Sequence, residues 1–550
     1  MNTVVVNDPR IDVTSELSQV ISRGGQRLTQ YVQSADGNST SQSNFSFQPP
    51  STKIICDRHF QLRVRVRLTA VGGNFQLGTA SALRQAPLSS IIEVLNVSLN
   101  GGNISDNISR RIHPMLRYNN NAQSREGYAS KSPMMPDQYQ NYEDWKDPLT
   151  GGSSRNPLAA YGETFSDVNR GAFVPLSQSD TVLEYELTEP IFMSPFMTGL
   201  EKHQDQGLVN INQIDVNIKY VSNLERIFSH YNEAPNALTG INVEFISTPE
   251  MLVNYITPDI SQPLPLLQVL PYYKMNDYIK NEGTKAAGES FEVLTNTIKL
   301  NQIPRHVTLF VKRSRQTESL FTSDTFARID NLNILFNNES SLFSTYTKQG
   351  IYDICRRNGS NISYPQFDKF TGSVLRIEMG IDLGLMEGLS PGVMGQFTIS
   401  AQLRCTNVSN EPIEFESYLV TTLEGSLEIT ENALALNLGN LTVPMVADAE
   451  NNAEVIHHTN PALGIGEGGS FWSSLKHFVN KAAKGVGKAA QFTSKYVAPA
   501  LSAVAPEFGA PLAGVASAIG TGADVARRMT GGRLSGGNYG QLRKRLSRRR

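Results

Sequence analysis

Eight histidines and three cysteines in 550 residues are sparse material for catalysis, and their placement narrows it further. His457-His458 could supply half of a metal site, yet no Cys or acidic cluster stands at ligand spacing from it, and the pair reads as exposed linker. Cys355 and Cys405 fall on or near strand-like segments. As nucleophiles they would need a base that the sequence does not offer, so they read as small core residues. With Cys56 they are too few for a disulfide framework, which suits folding in a reducing compartment. Gly464-x-Gly466-x-x-Gly469 has a dinucleotide-loop spacing but precedes no strand–helix unit, and no Gly-x-x-x-x-Gly-Lys-Ser/Thr is present. Glu414 and Glu416, two residues apart, share one strand face and read as a solvated face rather than an acid/base pair. No catalytic, metal or cofactor residues emerge, and the chain is expected not to be an enzyme.

The elements that must carry these residues occur twice and in the same order. Arg58-His59-Phe60-Gln61-Leu62-Arg63-Val64 recurs as Arg305-His306-Val307-Thr308-Leu309-Phe310-Val311. Ile92 to Asn100 recurs as Ile329 to Asn337. The run from Val182 that closes on Asn223 recurs from Val374 and closes on Asn407. Three ordered matches on strand-like segments point to a duplicated β domain, with His59 and His306 sharing ancestry and a packing role. Phe60, Leu62, Val64, Val66 and Leu68 alternate with Gln61, Arg63, Arg65 and Arg67, which predicts a strand with its arginines outside. Ile214 to Tyr220 alternates likewise, as does Phe397 to Cys405.

These patterns predict an all-β chain of two tandem sandwiches. Residues 1–52 form a polar N-terminal arm, and 53–255 the first sandwich, with a long loop over 103–180. Residues 256–438 form the second sandwich, 439–469 a linker and 470–550 a basic tail. Apolar content is 39% and charge 18%. Residues 1–30 contain no apolar run longer than Val4-Val5-Val6, so no secretion signal is expected. The triplets at Asn38, Asn96 and Asn361 are accordingly not expected to be glycosylated.

The net charge of −2 conceals a division. Residues 470–550 hold six Lys and eight Arg against Glu507 and Asp524, a net +12 that leaves −14 on the rest. Within the tail, Phe471, Leu475, Phe478 and Val479 follow helical spacing with Trp472 at the edge and lysines opposite. That helix suits either a membrane surface or the inner wall of an assembly. Arg543, Lys544, Arg545, Arg548, Arg549 and Arg550 suit nucleic-acid contact or nuclear import. Val497 to Ala526 is interrupted by Pro499, Pro506, Glu507 and Pro511 and is a poor membrane span.

Taken together, these features resemble the double jelly-roll major capsid proteins of icosahedral DNA viruses, of the virophage, polinton-like and adenovirus-like lineage. The segments that carry the likeness are Leu300 to Val307, Ile329 to Ile334, Gly372 to Leu375 and Leu389 to Gln396. The resemblance implies two eight-stranded rolls, a homotrimer of pseudo-hexagonal outline, and a lattice of such trimers in the virion. It implies penton and minor capsid proteins as partners, with genome and membrane reached through the tail, and assembly in the host cytoplasm or nucleus. The loop from Asn103 to Asp180 would then build part of an outer tower or the trimer contact. The tail resembles the membrane-lytic and core minor proteins of adenovirus-type particles. Met529-Thr530-Gly531-Gly532 and Leu534-Ser535-Gly536-Gly537 resemble maturation-protease sites ending at Gly532 and Gly537. Leu99-Asn100-Gly101-Gly102 fits the same pattern but reads as a strand turn. The competing class is a binding module, a two-domain β-sandwich lectin or receptor-binding spike, which would more often carry a disulfide or a calcium-type acidic loop.

Overall fold

Two rolls follow one another along the chain, each built among the described residues on eight principal strands with shorter ones added, and each principal strand of the first has its counterpart eight strands later. The computed structural model describes residues 27–452 apart from 52–53, 78–80, 119–131, 134–174, 197–206, 231, 233–236, 258–263, 323, 325, 338, 371, 387–388, 432 and 440. The first roll comprises β1 (Arg27–Ser34), β2 (Gln42–Phe47), β3 (Gln61–Val71), β4 (Ile92–Leu99), β5 (Gly102–Asp106), β6 (Val182–Pro190), β7 (Ile214–Tyr220) and β8 (Glu250–Thr257). The second comprises β9 (Leu267–Lys285), β10 (Ser290–Leu294), β11 (His306–Arg313), β12 (Arg328–Phe336), β13 (Glu339–Leu342), β14 (Val374–Glu378), β15 (Met394–Thr406) and β16 (Ile413–Thr430).

The strand orders are the same in both. One sheet of the first roll runs β1-β8-β3-β6 and the other β2-β7-β4-β5. The second roll has β9-β16-β11-β14 and β10-β15-β12-β13. All these pairings are antiparallel. The sequence matches fall on equivalent strands: Arg58 and Arg305 precede β3 and β11, Ile92 and Ile329 lie in β4 and β12, and Val182 and Val374 open β6 and β14.

Local geometry repeats as well. Asn100 (φ 48°) and Asn337 (φ 53°) both take the left-handed conformation in the turn that follows β4 or β12. In the first roll this turn is the two-residue Asn100-Gly101 hairpin, with Leu99 opposite Gly102, the pairing that such a turn favours. Asn223 and Asn407, just past β7 and β15, each accept a backbone N–H from two residues onward, Glu225 and Ser409 respectively. The cores follow the alternation read above. Phe60, Leu62, Val64, Val66 and Leu68 are buried, while Arg63, Arg65 and Arg67 on the other face pair with Glu250, Glu186 and Glu184.

Several expectations are corrected. Residues 27–47 are not an arm: β1 pairs with β8 and β2 with β7, so both belong to the first roll. In β2, Ser43, Phe45 and Phe47 face the core, with Ser43 bonded to the Tyr220 hydroxyl at 3.1 Å, while Gln42 and Ser46 face outward. The expected loop over 103–180 begins as strand β5, continues through a 3₁₀ turn (Ile108–Arg110) and a short helix (Ile112–Leu116), and ends with Ser177–Gln178 paired to β6. Within the expected second roll, Ile413–Thr430 forms its eighth strand, and Ala433–Leu438 folds back onto it. Cys355 lies on a helix (Lys348–Arg357), capped by Thr347, whose hydroxyl accepts from the Gly350 N–H. His59 and His306 do not share a packing role, since His59 is half-buried and His306 is buried.

The two cores exchange residues. Tyr118, from the first roll's β5–β6 connection, lies in the second roll's core, whereas Leu270, Tyr272, Leu320, Leu427 and Ile429 belong to the core of the first. This exchange predicts one cooperative unfolding transition for the two rolls. Leu62→Ala and Leu309→Ala, at equivalent buried positions, should each lower stability by about 2–5 kcal/mol in that same transition. Denaturant unfolding of both variants checks this. Two transitions, each moved by only one variant, would show independent rolls.

Candidate functional site: the seam between the two rolls

Three connections at one end of the first roll carry the arginines that meet the second roll. Arg84 lies between β3 and β4, Arg111 between β5 and β6, and Arg226 between β7 and β8. Each finds a carboxylate of the second roll. Arg84 Nη1 lies 3.1 Å from Asp324, Arg111 Nη1 2.9 Å from Asp277, and Arg226 pairs with Glu318. Arg84 also donates through Nη2 to the carbonyls of Ser319 (2.8 Å) and Thr322 (2.5 Å). Arg111 reaches the Met275 carbonyl at 3.2 Å and Asp106 of its own roll. Lys312 shares Glu318 at 3.3 Å, and the His230 N–H donates to the Leu320 carbonyl.

The charged groups of the seam are buried, which sets its electrostatics. Burial alone would raise the Asp324 carboxyl, but Arg84, His113 and Arg226 outweigh it and hold the group below the ordinary carboxylate range. Burial likewise opposes ionisation of Glu318, and Arg226 and Lys312 together prevail. His113, bonded to Gln85 at 3.0 Å, is pushed down to about 4 by burial and stays neutral at ordinary pH. Removing one member of such a buried pair strands its partner, at a cost of about 3–5 kcal/mol.

A second set of contacts locks the rolls through backbone recognition. The Tyr118 hydroxyl donates to the Val374 carbonyl (2.6 Å), and Arg117 Nη1 donates to that of Gly372 (3.0 Å). The Arg117 guanidinium lies 4.2 Å over the Phe326 ring and Arg376 lies 4.1 Å over Tyr118. Gly372 (φ 72°) admits no side chain, because a Cβ would overlap the Phe326 carbonyl. Asn100, at the left-handed turn, donates across the seam to the Thr430 carbonyl at 2.9 Å. Gly102 lets Leu434 approach closely, and an added Cβ would stand 2.6 Å from Leu434 Cδ2.

The residues singled out in the sequence are placed differently. Cys56, Cys355 and Cys405 are buried free thiols, raised by burial to about 12, to about 11 and well above the usual range respectively, so they stay protonated. Glu414 and Glu416 share a face of β16 but serve separate partners. Glu414 accepts from Asn281, and Glu416 accepts from Ser314 and Tyr418. Among the described residues no group of three His, Cys, Asp or Glu could hold a metal ion. His457-His458, the Gly464–Gly469 run, Phe471, Trp472, Leu475, Phe478, Val479, Gly532, Gly537 and the cluster of Arg543, Lys544, Arg545, Arg548, Arg549 and Arg550 lie outside the described residues. The seam residues escaped the sequence reading because no motif joins them. Their only signal is arginine in the first roll's connections and acid in the β11–β12 connection.

The shifts at the seam all act in one direction with pH. His113 is charged in the unfolded chain below about 6.5 but neutral in the folded one down to about 4, so folding stability falls as pH drops through that window. Full protonation of the unfolded imidazole corresponds to a loss of about 3 kcal/mol. Asp324 and Glu318, depressed in the fold, add a further loss as pH falls below the ordinary carboxylate range. Melting temperatures measured from pH 7 to pH 4.5 should therefore decline, with His113→Gln flattening the upper part of the decline. An unchanged slope in that variant would remove His113 from the account.

Comparison with known proteins agrees with this geometry. The family model of the Sputnik virophage major capsid protein first domain matches residues 1–183 and 175–256. That of the major capsid protein V20 C-terminal domain matches residues 274–371 and 368–425. The putative capsid protein V20 of Sputnik virophage is 28% identical over 554 residues, covering 92% of this chain and 91% of that one. A chain in the cryo-EM structure of the Sputnik virophage superposes with a TM-score of 0.73 at 27% identity, covering 84% of this chain and 97% of that one. The mavirus major capsid protein shares the fold, with a TM-score of 0.65 at 15% identity over 83% of this chain and 98% of that one. Two equivalent rolls, joined along a buried ionic seam and matched by both domain families, place the chain among the virophage double jelly-roll major capsid proteins, structural components of icosahedral viral shells.

Proposed function

We propose that three copies of this chain form a capsomer of pseudo-hexagonal outline, and that a lattice of these trimers makes the shell. The observation that carries this reading is the shared strand order of two rolls fixed to each other by the seam. Three such chains present six similar corners, which suits sixfold packing. Leu266, Leu267 and Val269, at the start of edge strand β9, are 86%, 46% and 48% exposed. An apolar run on a strand edge favours burial against another subunit. Penton and minor capsid proteins would complete the shell, which is assembled in the host cytoplasm or nucleus. The role is structural, without a catalytic step.

The tail gives the capsomer an inward-facing cationic segment. Arg543, Lys544, Arg545, Arg548, Arg549 and Arg550 neutralise packaged nucleic acid without sequence preference. Phe471, Trp472, Leu475, Phe478 and Val479 line a helix that inserts into an anionic membrane once freed from the shell, with the Gly464 to Gly469 hinge as the place for proteolytic release; maturation cleavage after Gly532 or Gly537 would instead detach the terminal cationic cluster.

Sedimentation of the purified protein should give trimers, and Leu266→Glu with Val269→Glu should weaken association at least tenfold. A wild-type monomer at micromolar concentration would sink the trimer reading. The full chain should bind DNA with an affinity that falls steeply from low to moderate salt and leak anionic vesicles. A chain ending at Gly469 should do neither. Phe471→Ala with Phe478→Ala should lose leakage alone, since two aromatics carry about 3 kcal/mol or more of apolar burial. Leakage that persists in that double variant would return the helix to the inner-wall role.

A further inference from the structure

Beside the seam a cleft of about 840 Å³ opens between the rolls. Arg110, Lys219 and Asn223 line it from the first roll, and Arg315, Gln316 and Glu416 from the second. Its cations are unequally answered. Lys219 pairs with Glu93 at 3.0 Å, and Arg226, at the cleft's inner edge, pairs with Glu318. Arg110, half-buried at the end of its 3₁₀ turn, has no hydrogen-bond or ion-pair partner among the described residues. The one polar side-chain contact of Arg315 is a hydrogen bond to Ser109 Oγ at 2.9 Å. Glu416 does not answer them, because its two oxygens accept from Ser314 (3.0 Å) and Tyr418 (2.8 Å) of its own roll. Burial, followed by repulsion from Arg226, lowers Arg315; Glu318 opposes this without forming an ion pair with it, and Arg110 adds to the repulsion. Two guanidiniums from different rolls thus face one cleft without an ion-pair partner of their own among the described residues, an arrangement that an oxyanion relieves through charge-assisted hydrogen bonds.

We propose that this cleft binds a small molecule bearing two or more phosphate groups, held between Arg110 of the first roll and Arg315 of the second. A single phosphate is far smaller than the cleft, and guanidiniums on separate elements each call for their own anionic group. Asn223 and Gln316 add neutral hydrogen-bonding capacity for the rest of the molecule. Because the ligand touches both rolls, its binding tightens the join between them and raises the stability of the body.

Inorganic tripolyphosphate is the probe, added to the full chain at an ionic strength matched with sodium chloride. Hydrogen exchange should show saturable protection in the segments around residues 108–110 and 314–318. Arg110→Gln and Arg315→Gln should each weaken that protection at least tenfold, while Arg65→Gln, on the outer sheet face, should leave it unchanged. Should Arg315→Gln fail to fold, Arg110→Gln decides the matter, since that side chain makes no hydrogen bond or ion pair among the described residues. Tripolyphosphate binding without protection of these two segments would place it on the basic tail and overturn the proposal. Equal protection by sodium chloride alone, or full protection in both variants, would overturn it as well.

Discussion

The desolvation of three arginine–carboxylate pairs along the seam is the constraint on which the two-roll unit depends. A buried ion pair contributes little net stability compared with a well-packed apolar contact, but a broken one is costly. The seam therefore acts mainly as a selector of geometry. Any rotation of one roll against the other would separate Arg84 from Asp324, Arg111 from Asp277 and Arg226 from Glu318 together. Apolar exchange supplies the adhesion that the ion pairs do not, with Tyr118 in one core and Leu270, Leu320 and Leu427 in the other.

What could be read from the sequence was whatever depends on near neighbours. Alternation along β3, β7 and β15 reports burial directly, because a strand sends successive side chains to opposite faces. Asn100-Gly101 reports a tight hairpin for a similarly local reason. The failures share a physical cause too. β1 and β2 are polar strands whose identity depends on partners about 170 to 230 residues away, Ile214–Lys219 and Glu250–Thr257. Nothing within either segment distinguishes such a strand from an arm. Cys355 falls on or near a strand-like segment in the sequence yet sits on a helix, because a short apolar run does not declare its period. The seam was invisible for the strongest version of this reason, since Arg84 and Asp324 are 240 positions apart and ordinary residues in ordinary loops.

The copies have also diverged within their shared topology. In the second roll one continuous strand, β16, pairs along the whole of β11. In the first roll the same edge of β3 is served by two segments, Gly240–Phe245 and β8, with Pro249 at the break. Proline cannot donate to the ladder, so the break there is expected. The β5–β6 connection is long and reaches into the other roll, whereas its β13–β14 counterpart folds into the Lys348–Arg357 helix on its own roll. Strand order survived duplication while the connections were free to specialise.

That freedom accounts for the direction of charge at the seam. Two identical rolls meeting through the same end would each offer the same side chains, and a contact between unlike patches of identical units tends to repeat without closing. Here the β3–β4 connection carries Arg84, while its counterpart, the β11–β12 connection, carries the acids Glu318 and Asp324. In the three seam ion pairs the first roll supplies the cation and the second the carboxylate. Because that connection of the second roll sets carboxylates, and not a second cation, against Arg84 and Arg226, these ion pairs are satisfied once within each chain and are not offered again to a third roll. Duplication followed by this inversion turns a surface that could have propagated into one that closes, and leaves the outer faces of the pair free to carry the contacts between chains.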